Sequence, residues 1–249
     1  MVDDQGETPS MNFSKAKDGK TTPVQIKSEK MIGRGFFGDV FTADTLIKGK
    51  KPWHFVIKRF RDKAEGTAED YARSAMAKYE VARKVGLRVF RTYRLGEDGR
   101  SILMTNGNDS EVICVGKVAK FPGEMSSQLV DLGEPKLAPL SDAEIEALTV
   151  RIFDEASKGA TNRLHIHTDA YFFIVNRETR AVDFVIGDLD NVKKMTGSII
   201  GSLEKINIEN SCFALSSFLE NNVEGPEQNC KIIQENLNDT MYHRELTNA

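Results

Sequence analysis

The sequence predicts an α+β fold in two lobes, because strand-like and helix-like segments are segregated along the chain. Five strand-like segments and one helix-like segment come first, and a mostly helical half with one small hairpin follows a polar break at residues 105–109. Of the 249 residues, 40% are hydrophobic and 29% are charged, which is enough apolar material for a sizeable core.

Composition divides the chain into three parts. Residues 1–24 are polar with almost no apolar content, and they are predicted to form a flexible tail. Residues 25–108 hold the strand-rich N-lobe, with a five-stranded sheet and one helix. Residues 109–249 form a reduced helical C-lobe with short helices at its end.

The elements of the first lobe follow from periodicity. Residues 26–41 alternate around glycines and predict a strand, a turn and a strand. Residues 53–60 predict a strand of β-branched and aromatic residues. Spacings of three and four then predict one helix over residues 67–84, whose apolar face carries Tyr71, Ala75, Tyr79 and Ala82. Two more strands are expected at 88–95 and 101–105.

The second lobe is predicted to begin its regular structure at Ser141. Ser141 and Glu144 have the spacing of a capping box, and the helix they begin is expected to end near Gly159. A hairpin of residues 171–175 and 182–186 follows, and the remainder of the chain shows helical periodicity.

Charge and cysteine content favour an intracellular, soluble, cytoplasmic protein. With 34 Lys+Arg against 37 Asp+Glu, the formal net charge of −3 disfavours a nucleic-acid partner. The three cysteines are too scattered for a disulfide framework, which indicates a reducing compartment. No apolar run approaches the roughly 18 residues of a membrane span, and the N-terminus does not resemble a signal peptide.

A glycine-rich segment between two predicted strands is the first candidate site. Gly33, Gly35, Gly38 and Val40 fit the pattern G-x-G-x-x-G-x-V. Because the chain continues as a strand and not as a helix, a dinucleotide site is disfavoured. Glycines let backbone N–H groups approach phosphates, although an ordinary glycine-rich hairpin has the same appearance.

Lys58 lies one strand after this loop, in the run Val56-Ile57-Lys58. A lysine in an apolar strand needs a partner, since burial of an unpaired ammonium is costly. It either contacts phosphates or points to solvent from an edge strand, and we expect the phosphate contact. Glu80 on the following helix is the expected partner of Lys58, with Glu69 as its competitor.

A second constellation lies in the C-lobe: His167-Thr-Asp169, a predicted hairpin, and then Asp188-Leu-Asp190. Together with the glycine loop and Lys58, this order resembles the protein-kinase-like superfamily over about residues 26–195. The resemblance implies a two-lobed protein-kinase-like fold that binds ATP and Mg²⁺. It makes Asp169 the catalytic base, Lys58 a phosphate ligand and Asp188 a metal ligand.

The resemblance also implies further contacts. The nucleotide would lie against the hinge and the loop, at Gly33, Gly35, Phe37, Gly38, Val40, Lys58, Met104, Thr105 and Gly107. Phe36 and Phe37 at the loop tip either close over the nucleotide or pack inward. Asp190 or Asn191 would serve as an additional metal ligand, and His167 would have a packing and hydrogen-bonding role.

The sequence also departs from the family pattern. The asparagine expected after the catalytic aspartate is replaced by Ile174, or by Phe172 if the loop is shorter. Too few residues follow Asp188 for a full substrate lobe. These departures indicate an atypical kinase that phosphorylates a hydroxyl acceptor, with a protein Ser/Thr as the leading acceptor. The alternatives are a small-molecule or lipopolysaccharide-type kinase and a pseudokinase.

A different reading of the same residues is His165-x-His167-x-Asp169, which resembles part of a metallo-hydrolase signature. Alternation along an extended chain would place the three side chains on one side, where they could bind zinc. This reading leaves the glycine loop and Lys58 unexplained.

Overall fold

The computed structural model describes residues 10–14, 21–46, 53–91, 93–108, 111–116, 128–196 and 200–247. Within these ranges, helices and antiparallel sheets confirm the predicted α+β class. The described residues divide into two compact units. One is drawn from residues 10–79 and 90–108, and the other from residues 80–89, 111–116 and 128–247.

The first unit contains a closed antiparallel barrel of six described strands. These are β1 (Ser10–Ser14), β2 (Thr21–Arg34), β3 (Gly38–Leu46), β4 (Trp53–Phe60), β5 (Tyr93–Gly96) and β6 (Ser101–Thr105). They follow the order β1-β2-β3-β4-β6-β5, and β1 pairs with β5 to close the barrel. The barrel interior is filled by Phe13, Ala43, Phe55, Ile57 and Leu103.

The barrel corrects two expectations. A sixth strand, β1, lies inside residues 1–24, which were predicted as a flexible tail, and β2 also begins there at Thr21. The prediction of five strands missed β1 because its apolar content is only Met11 and Phe13. Phe13 is fully buried, so pairing with β2 and β5 places one ring in the core where local pattern gave too short a signal.

The helix α1 (Ala68–Lys84) lies close to its predicted bounds. Ala75, Tyr79 and Ala82 are buried, as the spacing predicted, whereas Tyr71 is only half-buried. The Tyr79 hydroxyl donates to the carbonyl of Arg91 at 2.9 Å, and its ring stacks on Tyr93 with centroids 4.6 Å apart. The apolar face of α1 therefore packs against the start of β5.

The strand predicted at residues 88–95 forms only at Tyr93–Gly96. Val89 instead makes an isolated parallel bridge with Ile186 in the second unit, and the Arg88 carbonyl accepts from Ile186 N at 2.7 Å. The prediction was wrong for residues 88–91, because Val89 pairs with Ile186 and not with a strand of the barrel, which the alternation pattern alone does not show.

The second unit combines two small sheets with three long helices. Its strands are β7 (Val112–Val115), β8 (Leu164–Ile166), β9 (Tyr171–Asn176), β10 (Val182–Ile186) and β11 (Val192–Lys194). Its helices are α2 (Asp142–Thr161), α3 (Ile200–Asn222) and α4 (Glu227–Thr247). The strands pair as β10-β9-β7 and as β11-β8, and α2 packs against both α3 and α4.

Local sequence accounts for the start of α2. Ser141 Oγ accepts from Glu144 N, and the Glu144 carboxylate accepts from Ser141 N at 2.9 Å, which confirms the predicted capping box. The helix ends at Thr161, two residues after the predicted Gly159. Ile145, Leu148 and Ile152 are buried on its inner face. Among the described helices, none is long and apolar enough to cross a membrane.

Candidate functional site

The glycine loop is a tight turn between β2 and β3. Gly35 N donates to the carbonyl of Gly38 at 2.8 Å, and Arg61 N donates to the carbonyl of Phe37 at 2.9 Å. A Cβ atom at Gly38 would lie 2.2 Å from the carbonyl oxygen of Arg59, so that only glycine fits there. The third glycine of the motif is therefore explained by the close packing of β3 against β4.

Charged side chains surround this turn. Arg34 Nε lies 2.8 Å from Asp39 Oδ1, and Arg61 Nη1 lies 3.8 Å from the same oxygen. The Arg61 guanidinium also donates to the Gly35 carbonyl at 2.6 Å. These surface ion pairs contribute little stability, but they keep two guanidinium groups beside the loop.

The two aromatic residues at the loop tip take different roles. Phe37 packs inward against Tyr71 of α1, with ring centroids 4.9 Å apart, which is one of the two roles that the sequence left open. Phe36 is 66% exposed, and Lys63 Nζ lies 4.5 Å from its ring centroid. Phe36 is therefore the aromatic ring that the loop presents to solvent.

Lys58 lies on β4, which is a central strand with β3 on one side and β6 on the other. It pairs with Val40 of the glycine motif and with Ile102. Its side chain is half-buried, and Nζ lies 5.2 Å from the centroid of the Phe60 ring. β4 is therefore not an edge strand, as one explanation of Lys58 required.

The predicted hinge residues lie on or just after β6 of the same barrel. Met104 is buried on β6 opposite Val56, Thr105 pairs with Phe55, and Gly107 is half-buried just after β6. The strand that carries Lys58 thus pairs directly with the strand that leads to the expected adenine-binding segment.

The helix partner of Lys58 was predicted to be Glu80, with Glu69 as the competitor. Glu69 lies 3.3 Å from the Arg100 guanidinium in an exposed ion pair. Glu80 is half-buried on α1. Lys58 belongs to the first unit and Glu80 to the second, so that their pairing stays a prediction.

In the second unit, Asp169 lies in a 3₁₀ turn at Thr168–Ala170, directly after β8. His167 N donates to the Asn191 carbonyl at 3.0 Å, and Asp169 N donates to His167 Nδ1 at 3.3 Å. The His167 side chain is 53% exposed. It therefore keeps the predicted hydrogen-bonding role but not the predicted packing role.

Asp188 begins a second turn, after β10. Its Oδ1 accepts from Asp190 N at 3.2 Å, and its Oδ2 accepts from Asn191 Nδ2 at 3.0 Å. Gly187 N donates to the Ala170 carbonyl at 2.9 Å, which ties this turn to the first. We refer to residues 167–170 and 187–191 together as the aspartate turns.

The aspartate turns bring candidate metal ligands together. Asp188 and Asp190 offer two carboxylates, whereas Asn191 turns its amide nitrogen, which cannot bind a metal, toward Asp188. Mg²⁺ is commonly held by one or two carboxylates together with substrate phosphates, so this donor set fits the expected metal. Ile174 and Phe172, at the positions of the missing asparagine, lie in β9 and offer no ligand.

The arrangement is less suited to zinc. His165 and His167 have ring centroids 6.3 Å apart at 86°. No group of three or more His, Cys, Asp or Glu side chains in the described ranges is arranged to hold a metal ion. Partial burial, followed by the charges of His167 and Lys193, lowers the pKa of His165 below its ordinary value, which favours the neutral form that metals bind, so that the case against zinc rests only on the absence of a ligand group among the described residues.

Two asparagines of α3 support the aspartate turns, and sequence analysis missed both. Asn207 is fully buried: its Oδ1 accepts from Ile166 N at 2.9 Å, and its Nδ2 donates to the carbonyls of Leu164 at 2.8 Å and Ala156 at 3.1 Å. One turn later, Asn210 contacts the same segment. Asn207 lies four residues after the buried Leu203, and this polar position on an apolar face was the signal that could have found it.

Comparison of the chain with protein-family models and with curated proteins finds no match. Functional inference therefore depends on the chemistry and geometry of the residues. The structure places Lys58 beside the glycine motif in the first unit, and it joins the turns of Asp169 and Asp188 in the second.

Proposed function

We propose that this protein is an atypical kinase that transfers the γ-phosphate of ATP to a hydroxyl acceptor. One observation carries the proposal: Gly187 N donates to the Ala170 carbonyl at 2.9 Å, and His167 N donates to the Asn191 carbonyl at 3.0 Å. These two bonds join the turn of the proposed base, Asp169, to the turn of the proposed metal ligand, Asp188.

Phosphoryl transfer needs in-line positioning and charge neutralisation more than it needs covalent chemistry from the protein. Lys58 supplies a fixed cation to the phosphates from a central strand. Asp169 orients the acceptor hydroxyl and accepts its proton as the oxygen attacks the γ-phosphorus and ADP leaves. Asp188 and Asp190 would hold Mg²⁺, which would supply charge neutralisation to the phosphates.

The leading acceptor is a Ser or Thr hydroxyl on a protein, and a small molecule or a lipopolysaccharide-type sugar is the alternative within the same reaction. Transfer of label from [γ-³²P]ATP to generic protein substrates, compared with transfer to a panel of sugars, separates them.

A pseudokinase is the second candidate. In the structure Asn191 directs its amide nitrogen to Asp188, so that the amide donates a hydrogen bond where a metal-binding oxygen would be needed. A protein of this kind would bind nucleotide and transfer no phosphate.

The first experiment is thermal unfolding with and without ATP, each with and without Mg²⁺. A ligand at about 100 times its Kd stabilises by about 2.7 kcal/mol, which corresponds to a rise of about 5 °C or more for a chain of this size. We expect this rise only when both ATP and Mg²⁺ are present. Asp188→Asn should abolish it, whereas Asp154→Asn, an exposed aspartate on α2, should not.

Each outcome leads to a different conclusion. A magnesium-dependent rise with label transfer supports the kinase, and the same rise without transfer supports the pseudokinase. If ATP does not raise the Tm with or without Mg²⁺, both the kinase and the pseudokinase proposals are contradicted. One zinc per chain in the purified protein would instead support the hydrolase reading of His165, His167 and Asp169.

A further inference from the structure

The segment that leads into Asp169 is contacted by the side chain of Asn210 at three points. Asn210 Nδ2 donates to the Ile166 carbonyl at 3.0 Å and lies 3.3 Å from His165 Nε2, while Asn210 Oδ1 accepts from Thr168 Oγ1 at 3.4 Å. We propose that Asn210 is a positioning residue, which fixes the direction in which Asp169 faces the acceptor. The catalytic part of this inference rests on the proposed kinase function.

The orientation of the Asn210 amide is determined by its partners. The Ile166 carbonyl can only accept, so Nδ2 must face it, and Oδ1 then faces the Thr168 hydroxyl. With the amide fixed in this way, Nδ2 also faces His165 Nε2, which accepts when its proton is on Nδ1. All three contacts are therefore mutually consistent in one arrangement.

The contacts lie on both sides of His167. Ile166 precedes it and Thr168 follows it, and Thr168 is the first residue of the 3₁₀ turn that contains Asp169. Backbone bonds at His167 N and at the Ala170 carbonyl also hold this turn to the turn of Asp188. Asn210 thus adds a side-chain restraint at the point where the chain enters the turn.

Asn210 differs from Asn207 in a way that makes it testable. Asn207 is fully buried, and its removal would damage the core, whereas Asn210 is half-buried near the middle of α3. Loss of the Asn210 side chain should leave the helices in place and free only residues 165–169. Small displacements of a catalytic group reduce turnover strongly, by as much as about 100-fold for 1 Å.

The kinetic test compares Asn210→Ala, Thr168→Val and the double variant with wild type. We expect kcat to fall about 10- to 100-fold in Asn210→Ala, with KM for ATP within about twofold, because the contacts described for Asn210 are with the segment before Asp169 and not with the phosphate-binding residues. If the two residues act together, the double variant should lose less than the product of the single losses. Thr168→Ser, which keeps the hydroxyl, should retain wild-type kcat.

A second readout does not depend on activity. Amide hydrogen exchange of residues 164–170 should become faster in Asn210→Ala while exchange in α2 stays unchanged. Unchanged exchange there would overturn the positioning role, as would additive losses of kcat in the double variant. If wild type transfers no phosphate but exchange quickens as expected, the kinase function fails and the restraint by Asn210 stands.

Discussion

The glycine loop and the aspartate turns hold their functional residues by different means. The loop is fixed by the backbone of adjacent strands, through pairing of β2 with β3 and through the close approach of Gly38 to Arg59 on β4. The turns are fixed from a distance, because Asn207 and Asn210 of α3 reach back 41 to 45 residues to the segment before Asp169.

This difference separates two kinds of dependence on the fold. A side chain that projects from a strand ladder, such as Lys58, can be removed without loss of the pairing that carries it. A turn held by a buried side-chain amide, such as that of Asn207, depends on this amide. Each buried polar group left without a hydrogen-bond partner costs about 1–3 kcal/mol. We therefore expect function and stability to be separable at Lys58 and coupled at Asn207.

The largest expected effect is on catalysis in the first unit. Lys58→Ala should lower phosphoryl transfer about 100- to 1000-fold, as loss of one preorganised electrostatic contact does, with little change in Tm. Label transfer and thermal unfolding measured on the same sample check this. Arg59→Ala is the matched control, because Arg59 is the exposed neighbour on β4. Full turnover of Lys58→Ala would contradict the kinase assignment.

Asn207→Ala should destabilise the second unit. Removal of its amide leaves Ile166 N and two carbonyls without this partner in a buried site, so that the free energy of unfolding should fall by about 3 kcal/mol or more. Urea unfolding measures this. Asn221→Ala on the same helix removes a bond from its side chain to the Ser217 carbonyl and should cost less than half as much. Equal losses in the free energy of unfolding of the two variants would contradict the proposed role of Asn207 in stabilising the second unit.

Gly38→Ala tests the backbone restraint in the loop. A methyl group 2.2 Å from the Arg59 carbonyl forces β3 and β4 apart, and overpacking of this kind costs about 1–3 kcal/mol. Gly35→Ala is the control, because its added carbon would meet the nearest atom at 3.6 Å. Thermal unfolding should therefore rank Gly38→Ala well below Gly35→Ala, and the opposite order would contradict the packing explanation.

The smallest effect is expected far from either region, at the capping box of α2. The Ser141 hydroxyl, and then its backbone, lower the pKa of Glu144 below the ordinary value of 4.5. A lowered carboxyl pKa stabilises the fold above pH 4.5, and this contribution is lost as pH falls through the lowered value. Ser141→Ala should cost about 1 kcal/mol at pH 7 and less at pH 3.

Urea unfolding at both pH values checks this last prediction, with Ser141→Thr as the variant that keeps a hydroxyl. A loss that does not depend on pH would mean that Glu144 takes no part in the cap. Neither variant should alter nucleotide binding, because the cap lies outside the glycine loop and the aspartate turns.

Local patterns were sufficient for several elements. Residues 53–60 and 171–175 are rich in β-branched and aromatic residues, and both segments form strands as predicted. The spacing of Ser141 and Glu144 gave the start of α2. The glycine motif and Lys58 were also visible in sequence. The ladder between β3 and β4 then places Val40 of the motif in register with Lys58.

What remained hidden depends on contacts between distant segments. An asparagine in a helix has no local signal of its partner, so that the contacts of Asn207 and Asn210 emerge only when α3 is packed beside β8. The same holds for β1, whose single large buried residue, Phe13, gains its place through two neighbouring strands. The region of residues 110–140, left without assignment, contains β7, which is ordered by pairing with β9.

Closure of the barrel by β1 leaves no open sheet edge among the six described strands. Removal of residues 10–14 would expose the outer hydrogen-bonding groups of both β2 and β5. Unpaired edges of this kind recruit strands from other molecules, which leads to strand exchange and aggregation. Shortened forms of this protein that begin after Ser14 should therefore be poorly soluble. The short and mostly polar strand β1 would thus protect the protein from self-association by covering these edges.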